Sequence, residues 1–269
     1  MFGKAHIIFI IISFLFIFLG VNICEKKKIP VEKVLWVCFF ISLASELLKI
    51  LMVIELVPLV TLVVENGNIV YKSAGKFCPY IETHHIPFQL CSFQIIFLFL
   101  ARVVKNKEWK RRVYSLIYST ALIGGILAIF LSDIIPFYKS ASEFLLSARA
   151  WEFYLYHSML VVIALVIARD KKCGIKFTDA KWTCIIVFIL DICSFYMNSM
   201  LSVPVYVNEE LVGITHSVNF FNSYENNIGL NVTTKNEYFV YLLIRFVVVL
   251  LFIIITYLPF LKRKKINNL

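Results

Sequence analysis

Apolar blocks of about twenty residues dominate the sequence, and short charged or polar segments separate them. A helix of that length crosses the ~30 Å hydrocarbon core of a bilayer. Soluble domains are about 45–50% apolar and about 25% charged, whereas this 269-residue chain is 60% hydrophobic and 16% charged. Alternating strands of an outer-membrane barrel are not evident in the sequence. We therefore predict an all-α, polytopic helical membrane bundle.

Positive charge is distributed unevenly between the apolar blocks. Nineteen of the 27 Lys and Arg residues lie in alternate gaps, and only six lie in the other gaps or before the first block. Because cytoplasmic loops are enriched in Lys and Arg, the pattern predicts seven transmembrane helices, with the N-terminus outside and the C-terminus cytoplasmic. The predicted spans, within a single transmembrane domain over 1–269, are 5–24, 33–55, 86–103, 113–135, 149–168, 182–203 and 238–261.

The net charge of +10 is explained by this topology together with attraction to anionic lipid headgroups. We expect membrane lipids as substrate or ligand and no nucleic-acid partner, and the sequence does not indicate an oligomeric state. We place the protein in the plasma membrane, as a multipass protein of a bacterium. We expect no cofactor and no metal, since no Cys or His spacing typical of a metal site occurs.

Two segments on the outer side are long. Residues 56–85 contain the turn-like Asn66-Gly67-Asn68 between β-prone runs, which favours a small hairpin or a re-entrant cap. Residues 204–237 are rich in Asn and Glu, and the aromatic residues within 218–224 favour an ordered lid. Loops of this length in a compact protein are usually functional or disordered.

Polar side chains inside the predicted spans are candidate site residues, because ionisable and amide groups are expensive in a bilayer. The predicted helix directions place most of them in the outer half of the membrane, under the predicted lid. This layout predicts a pocket that opens outward or into the outer leaflet. Its candidate substrate-binding residues, two of them from the lid, are Glu46, Gln89, Gln94, Asn198, Asn219, Asn222 and Arg245.

Each of these polar residues also has a purely structural interpretation. Glu46 and Lys49 are spaced to form an ion pair within one helix. Asn198 and Gln94 are typical of hydrogen bonds between transmembrane helices. Arg245 is a possible counterion for Glu46 or for Asp191.

Cys91 and His157 are the candidate catalytic residues. At the rise of an α-helix, Cys91 lies roughly 7 Å and His157 roughly 12 Å below the outer boundary. A Cys and a His at similar depth could form a nucleophile–base pair for acyl transfer. Alternatively, Cys91 is a small buried hydrophobe and His157 a core histidine. A disulfide between Cys78 and Cys91, the two outer cysteines, is the other possibility.

Three sequence elements resemble the YwaF-like bacterial integral membrane proteins. The residues that carry the resemblance are His85-Ile86-Pro87-Phe88-Gln89-Leu90-Cys91-Ser92, Trp151-Glu152-Phe153-Tyr154-Leu155-Tyr156-His157-Ser158 and the segment Val218 to Gly229. The eukaryotic relatives of that family include a transmembrane acyltransferase that remodels ether phospholipids and depends on a Cys and a His. The resemblance implies that Cys91 is the nucleophile or acyl carrier, that His157 is the base, and that the substrate is a phospholipid or another acyl donor.

Two functional hypotheses follow from the sequence. In the first, the protein is a lipid acyltransferase or acyl hydrolase that uses Cys91 and His157. In the second, it is a small-molecule binding or transport subunit without catalysis, in which Glu46, Asn198 and Arg245 contact a polar solute. A structural membrane subunit whose lid contacts a partner is a third possibility, with less support in the sequence.

Overall fold

The computed structural model describes residues 3–65, 68–132, 140–207, 210–216, 219–222 and 234–261. These residues form a mainly helical bundle, which confirms the predicted all-α class. Two β-hairpins extend from it. The α-helices are α1 (Lys4–Lys26), α2 (Val31–Val53), α3 (Gln94–Val103), α4 (Lys107–Phe130), α5 (Ala141–Leu146), α6 (Ala148–Arg169), α7 (Ala180–Met200) and α8 (Lys235–Tyr257). The strands are β1 (Glu55–Glu65), β2 (Asn68–Tyr80), β3 (Val203–Val207) and β4 (Glu210–His216).

Six of the described helices, α1, α2, α4, α6, α7 and α8, are long and apolar enough to cross a membrane. They correspond to six of the seven predicted spans. The largest shift of a helix start is in α4, which begins at Lys107 instead of 113. The Asn106 side chain caps this helix by accepting hydrogen bonds from the amides of Glu108 and Trp109 at 3.0 and 3.1 Å. Such a cap satisfies amides that have no partner inside the helix.

The remaining predicted span, 86–103, is only partly helical. Its α-helix is α3, which covers ten residues from Gln94 to Val103, and residues 89–93 form turns. Pro87 has no amide hydrogen and restricts the residue before it to extended conformations. Ile86 is accordingly extended, with φ −58° and ψ 135°. As a result, Cys91 lies in a turn before a short helix, so its depth cannot be read from a helical rise.

The core of the bundle is built around α6 and α4. We compare the most apolar 18-residue window of each long helix. In that window 72% of the residues of α6 and 56% of those of α4 are buried, whereas the share is 17–22% in the other four long helices. Large apolar side chains on those outer helices, such as Phe18, Leu51 and Leu243, are more than half exposed, as expected of helices that face lipid. His157 is therefore carried by the most enclosed helix.

The ends of the helices are joined by polar and aromatic contacts. At the basic end, ion pairs join Arg169 to Glu25 and Arg111 to Asp179. At the opposite end, the Nε2 atom of buried His6, near the start of α1, donates a hydrogen bond to the Ile129 carbonyl at 3.0 Å, near the end of α4. These contacts give α1 and α6 one direction and α4 and α7 the opposite direction, as predicted from the charge pattern. The predicted basic run 262–265 lies outside the described residues.

Both long outer segments contain an antiparallel β-hairpin. In the first, Glu55 pairs with Tyr80 and Glu65 with Asn68, which confirms the hairpin predicted within 56–85. In the second, Val203 pairs with His216 and Val207 with Glu210. The sequence does not predict strands in the second segment, because its Asn-rich and Glu-rich composition resembles that of a loop.

Gly125 allows α4 to approach α6 closely behind the catalytic candidate His157. A Cβ at residue 125 would lie 2.8 Å from the His157 carbonyl oxygen and 2.7 Å from Val161 Cγ2, whereas a Cβ at Gly124 would meet nothing within 4 Å. We expect Gly125→Ala to lower the free energy of unfolding by about 1–3 kcal/mol through overpacking. Thermal unfolding in detergent micelles measures this, with Gly124→Ala as the matched control. Equal midpoints for the two variants would contradict the expected close contact.

Candidate functional site

The Cys91 turn, residues 88–93, is the structural centre of the candidate site. The amide of Phe93 donates to the Gln89 carbonyl at 3.1 Å, and the amide of Gln94 donates to the Cys91 carbonyl at 3.2 Å. The second bond spans three residues, so the chain is wound more tightly here than in an α-helix. Cys91 is half-buried and packs against the apolar core. Its thiol thus sits on a compact turn at the entrance of α3.

Tyr156 of α6 holds this turn against the central helix. Its hydroxyl donates a hydrogen bond of 2.7 Å to the Cys91 carbonyl. Tyr156 directly precedes His157. This bond therefore brings the Cys91 turn to the part of α6 that carries the histidine.

The hydrogen bonding of His157 determines which ring nitrogen can act as a base. Its Nδ1 lies 2.7 Å from the Phe153 carbonyl oxygen. A carbonyl only accepts, so Nδ1 carries the hydrogen and the neutral ring keeps its lone pair on Nε2. The side chain is buried, and the Phe153 ring lies 4.3 Å from the imidazole between ring centres. The imidazole is thus oriented by its own helix, with Nε2 available to accept a proton.

Gln94 contributes a buried polar atom beside the Cys91 turn. Its Nε2 donates to Thr120 Oγ1 at 2.9 Å and to the Leu90 carbonyl at 3.3 Å. The bond to Thr120 joins α3 to α4, as the structural interpretation of Gln94 predicted. Its Oε1 is buried and has no hydrogen-bond partner among the described residues. An unsatisfied buried acceptor is uncommon in native proteins, so Gln94 stays a candidate substrate-binding residue.

Charged side chains of α2 and α6 lie on the same side of the site. Glu46 and Lys49 form an ion pair of 2.5 Å within α2, as the structural interpretation predicted. Glu152 of α6 accepts hydrogen bonds from Ser45 and from Arg149. Each carboxylate of this group is therefore paired with a cation, as is required for charges in a low-dielectric environment.

On the other side of the site, α7 and α8 hold the segment Asn219–Asn222. The Asn198 Oδ1 accepts from the Phe220 amide at 2.9 Å, and its Nδ2 donates to the Phe220 carbonyl at 3.2 Å. Arg245 donates to the Phe221 carbonyl and to Asp191 Oδ2, both at 2.6 Å. Asp191 is thus the counterion of Arg245, one of the two that the sequence suggested.

The nine predicted site residues therefore fall into two groups. The group of the Cys91 turn, α2, α3 and α6 contains Gln89, Cys91, Gln94, His157 and Glu46. The group that α7 and α8 hold contains Asn198, Arg245, Asn219 and Asn222. Asn219 is half-buried, and Asn222 closes the short 3₁₀ turn Phe220–Asn222. Other residues of the predicted lid, including Val218, Ser223 and Tyr224, lie outside the described residues. Substrate binding by these residues remains a prediction.

Sequence reasoning missed two sets of contacts in this site. Glu152 is an ionisable residue one turn from the start of a predicted span, so the rule that selected Glu46 could have found it. Tyr156 and the aromatic residues around the turn had no such signal, because aromatic residues are common throughout the chain. Neither Cys78 nor Cys91 is part of a disulfide, so the structure does not contain the bridge that the sequence left open.

Tyr156→Phe removes only the hydroxyl that binds the Cys91 carbonyl. We expect it to lower the free energy of unfolding by about 1 kcal/mol, the net value of a typical hydrogen bond. Tyr196→Phe is the matched control, since Tyr196 is 69% exposed. Chemical unfolding in mixed micelles provides the measurement, and equal stability of the two variants would show that the Tyr156 bond does not hold the turn.

Comparison with known proteins identifies the family. Neither the curated proteins nor the solved structures include a match to this chain. The family model described as TMEM164 family matches residues 1–258, a range that includes all eight described α-helices. This match supports a membrane family of the TMEM164 type, while the narrower YwaF-like bacterial assignment stays a prediction. With six helices suited to crossing a membrane, the chain is a multipass membrane protein that belongs to the TMEM164 family.

Proposed function

We propose that this protein is a lipid acyltransferase or acyl hydrolase in the bacterial plasma membrane, with Cys91 as nucleophile and His157 as general base. The observation that carries the proposal is the 2.7 Å hydrogen bond from Tyr156 to the Cys91 carbonyl. It joins the turn that carries Cys91, the candidate nucleophile, to the residue next to His157. The sequence resemblance to a Cys- and His-dependent transmembrane acyltransferase supports the same pair.

The proposed reaction has two steps that share one proton carrier. First, His157 Nε2 takes the Cys91 thiol proton, and the thiolate attacks the acyl carbonyl of a phospholipid ester. The ester C–O bond breaks, a thioester forms on Cys91, and His157 returns the proton to the departing alcohol. In the second step, His157 takes a proton from an acceptor hydroxyl or from water, whose oxygen attacks the thioester. The Cys91 sulfur leaves and regains the proton from His157.

The remaining polar groups support acyl transfer more than solute transport. A polar solute would need Glu46, Arg245 and Asn198, but these side chains are already bound to Lys49, to Asp191 and to the Phe220 backbone. The Gln94 Oε1, which has no hydrogen-bond partner in the part of the chain that the structure describes, is an acceptor without charge and suits the hydroxyl of an acyl acceptor. The outer helices expose a broad apolar surface, which suits a protein whose substrate is a membrane lipid.

The experiment that tests the proposal uses the full-length protein reconstituted in phospholipid vesicles. The vesicles contain a phospholipid with a labelled acyl chain and an unlabelled lysophospholipid as acceptor. We expect the label to appear in the acylated acceptor, for a transferase, or in free fatty acid, for a hydrolase. Neither product above the level of protein-free vesicles, over a series of acyl chains and headgroups, would contradict the proposal.

A further inference from the structure

The short turn Phe220–Asn222 is attached to the bundle by its backbone. Asn198 of α7 binds both the amide and the carbonyl of Phe220, at 2.9 and 3.2 Å. Both Asn198 and Phe220 are completely buried. An amide side chain that pairs with a peptide group in both directions fixes the position and the orientation of that peptide. The turn is thus held from α7 at one defined point.

Arg245 of α8 holds the next residue. Its Nη1 donates to the Phe221 carbonyl at 2.6 Å, while its Nη2 binds Asp191 at 2.6 Å. Phe221 has φ 58° and ψ 18°, the left-handed conformation that a bulky residue rarely adopts. Such a conformation persists where the surrounding contacts determine it. The Arg245 bond, with its charge balanced by Asp191, is the contact that reaches the Phe221 backbone.

The two aromatic rings that are held in this way rest on the Cys91 turn. Phe88 lies three residues before Cys91, and Phe93 lies two residues after it. The Phe220 ring is 5.5 Å from the Phe88 ring, and the Phe221 ring is 6.5 Å from Phe88 and 6.4 Å from Phe93, between ring centres. These are ordinary separations for interacting aromatic pairs.

The geometry points to an aromatic cover, formed by Phe220 and Phe221, that closes over the Cys91 turn and is held in place by Asn198 and Arg245. A lipid acyl group reaches Cys91 when this cover lifts, so Asn198 and Arg245 are positioning residues that control access to the thiol. The effect of the cover on acyl turnover rests on the proposed function. Its effect on access to the Cys91 thiol does not, because the rate of reaction with any small thiol reagent measures that access.

The test measures the rate at which N-ethylmaleimide alkylates Cys91 in the full-length protein in lipid nanodiscs, with peptide-resolved mass spectrometry. Cys78, on β2, is the internal reference within each sample. Loss of one hydrogen bond to a charged or buried group raises the population of the open state about tenfold. Arg245→Met removes one hydrogen bond to the cover and Asn198→Leu removes two. We therefore expect each variant to raise the Cys91 rate at least about tenfold relative to Cys78.

A second variant separates an open cover from a damaged fold. Phe221→Ala keeps the backbone bond to Arg245 but removes the ring from Phe88 and Phe93, so it should also accelerate Cys91 alkylation. Phe188→Ala is the matched control: the Phe188 ring, 43% exposed, pairs with Phe246 at 5.0 Å on the same two helices. It should leave the rate unchanged.

Unchanged Cys91 alkylation in Phe221→Ala, in protein with a wild-type melting midpoint, would overturn the proposed cover even if Arg245→Met did not fold. An equal rise at Cys78 and Cys91 would also overturn it, since that indicates general loosening. Acyl turnover that persists in Cys91→Ala would instead refute the proposed function. The evidence for the cover would remain, because alkylation is measured in proteins that keep Cys91.

Discussion

Cys91→Ala is expected to lower acyl turnover in reconstituted vesicles about 10³-fold or more. The proposed mechanism passes the acyl group through a thioester on this sulfur, and enzymes that lose their nucleophile keep only the residual catalysis of the rest of the site. The fold should survive, because Cys91 lies on a half-buried turn and the backbone bond from Tyr156 does not depend on its side chain. The measurement is the initial rate of labelled acyl transfer per folded protein.

His157→Ala is the companion variant, with an expected loss of about 10²–10⁴-fold, the contribution of a positioned general base. The matched controls are Cys78→Ala and Cys193→Ala, since both thiols are free and lie outside the Cys91 turn. These controls should keep turnover within twofold of the wild type. Turnover above one tenth of the wild-type rate in folded Cys91→Ala would remove Cys91 from the reaction.

Asp191→Leu is expected to destabilise the bundle by about 3–5 kcal/mol, the largest effect on stability that we predict. The side chains of Asp191 and Arg245 are only 13% and 8% exposed. Removing the carboxylate leaves a guanidinium charge without a counterion inside the membrane, and breaking a buried ion pair in this way is strongly destabilising. Unfolding in mixed micelles, followed by loss of helical circular dichroism, measures the difference in free energy.

Two comparisons isolate the cost of the stranded charge. The double variant Asp191→Leu/Arg245→Met should recover most of the lost stability, because it removes both charges. Glu25→Leu, which breaks the half-exposed pair with Arg169, should change stability by no more than about 1 kcal/mol. A small effect of Asp191→Leu, equal to that of Glu25→Leu, would show that the Arg245 charge is solvated.

The membrane spans could be predicted from the sequence because two simple forces determine them. Apolar length fixes which segments cross the bilayer, and the distribution of Lys and Arg fixes their direction. Both signals act on whole segments, so they tolerate local irregularity. They fail for 86–103, whose first eight residues are not α-helical, because Pro87 restricts Ile86 to an extended conformation and the Tyr156 hydroxyl binds the Cys91 carbonyl.

The candidate site could be predicted as a list of polar residues but not as a set of contacts. Depth in the membrane selected Glu46, Gln94, Asn198 and Arg245, yet depth says nothing about which way a side chain points around its helix. The partners that use these groups, such as the Phe220 backbone for Asn198 and Thr120 for Gln94, are 22 and 26 residues away in the chain. Such pairings depend on helix packing, which a single sequence does not reveal.

The most direct test of the central claim is the mass of the Cys91 peptide during turnover. The reconstituted protein is mixed with a phospholipid acyl donor in the absence of an acceptor, quenched with acid and digested. The proposed mechanism predicts that Cys91 carries the acyl group of the donor as a thioester, which neutral hydroxylamine removes, and that His157→Ala does not accumulate it. Active protein in which the Cys91 peptide stays unmodified, or in which the acyl group is found on another residue, would contradict the mechanism.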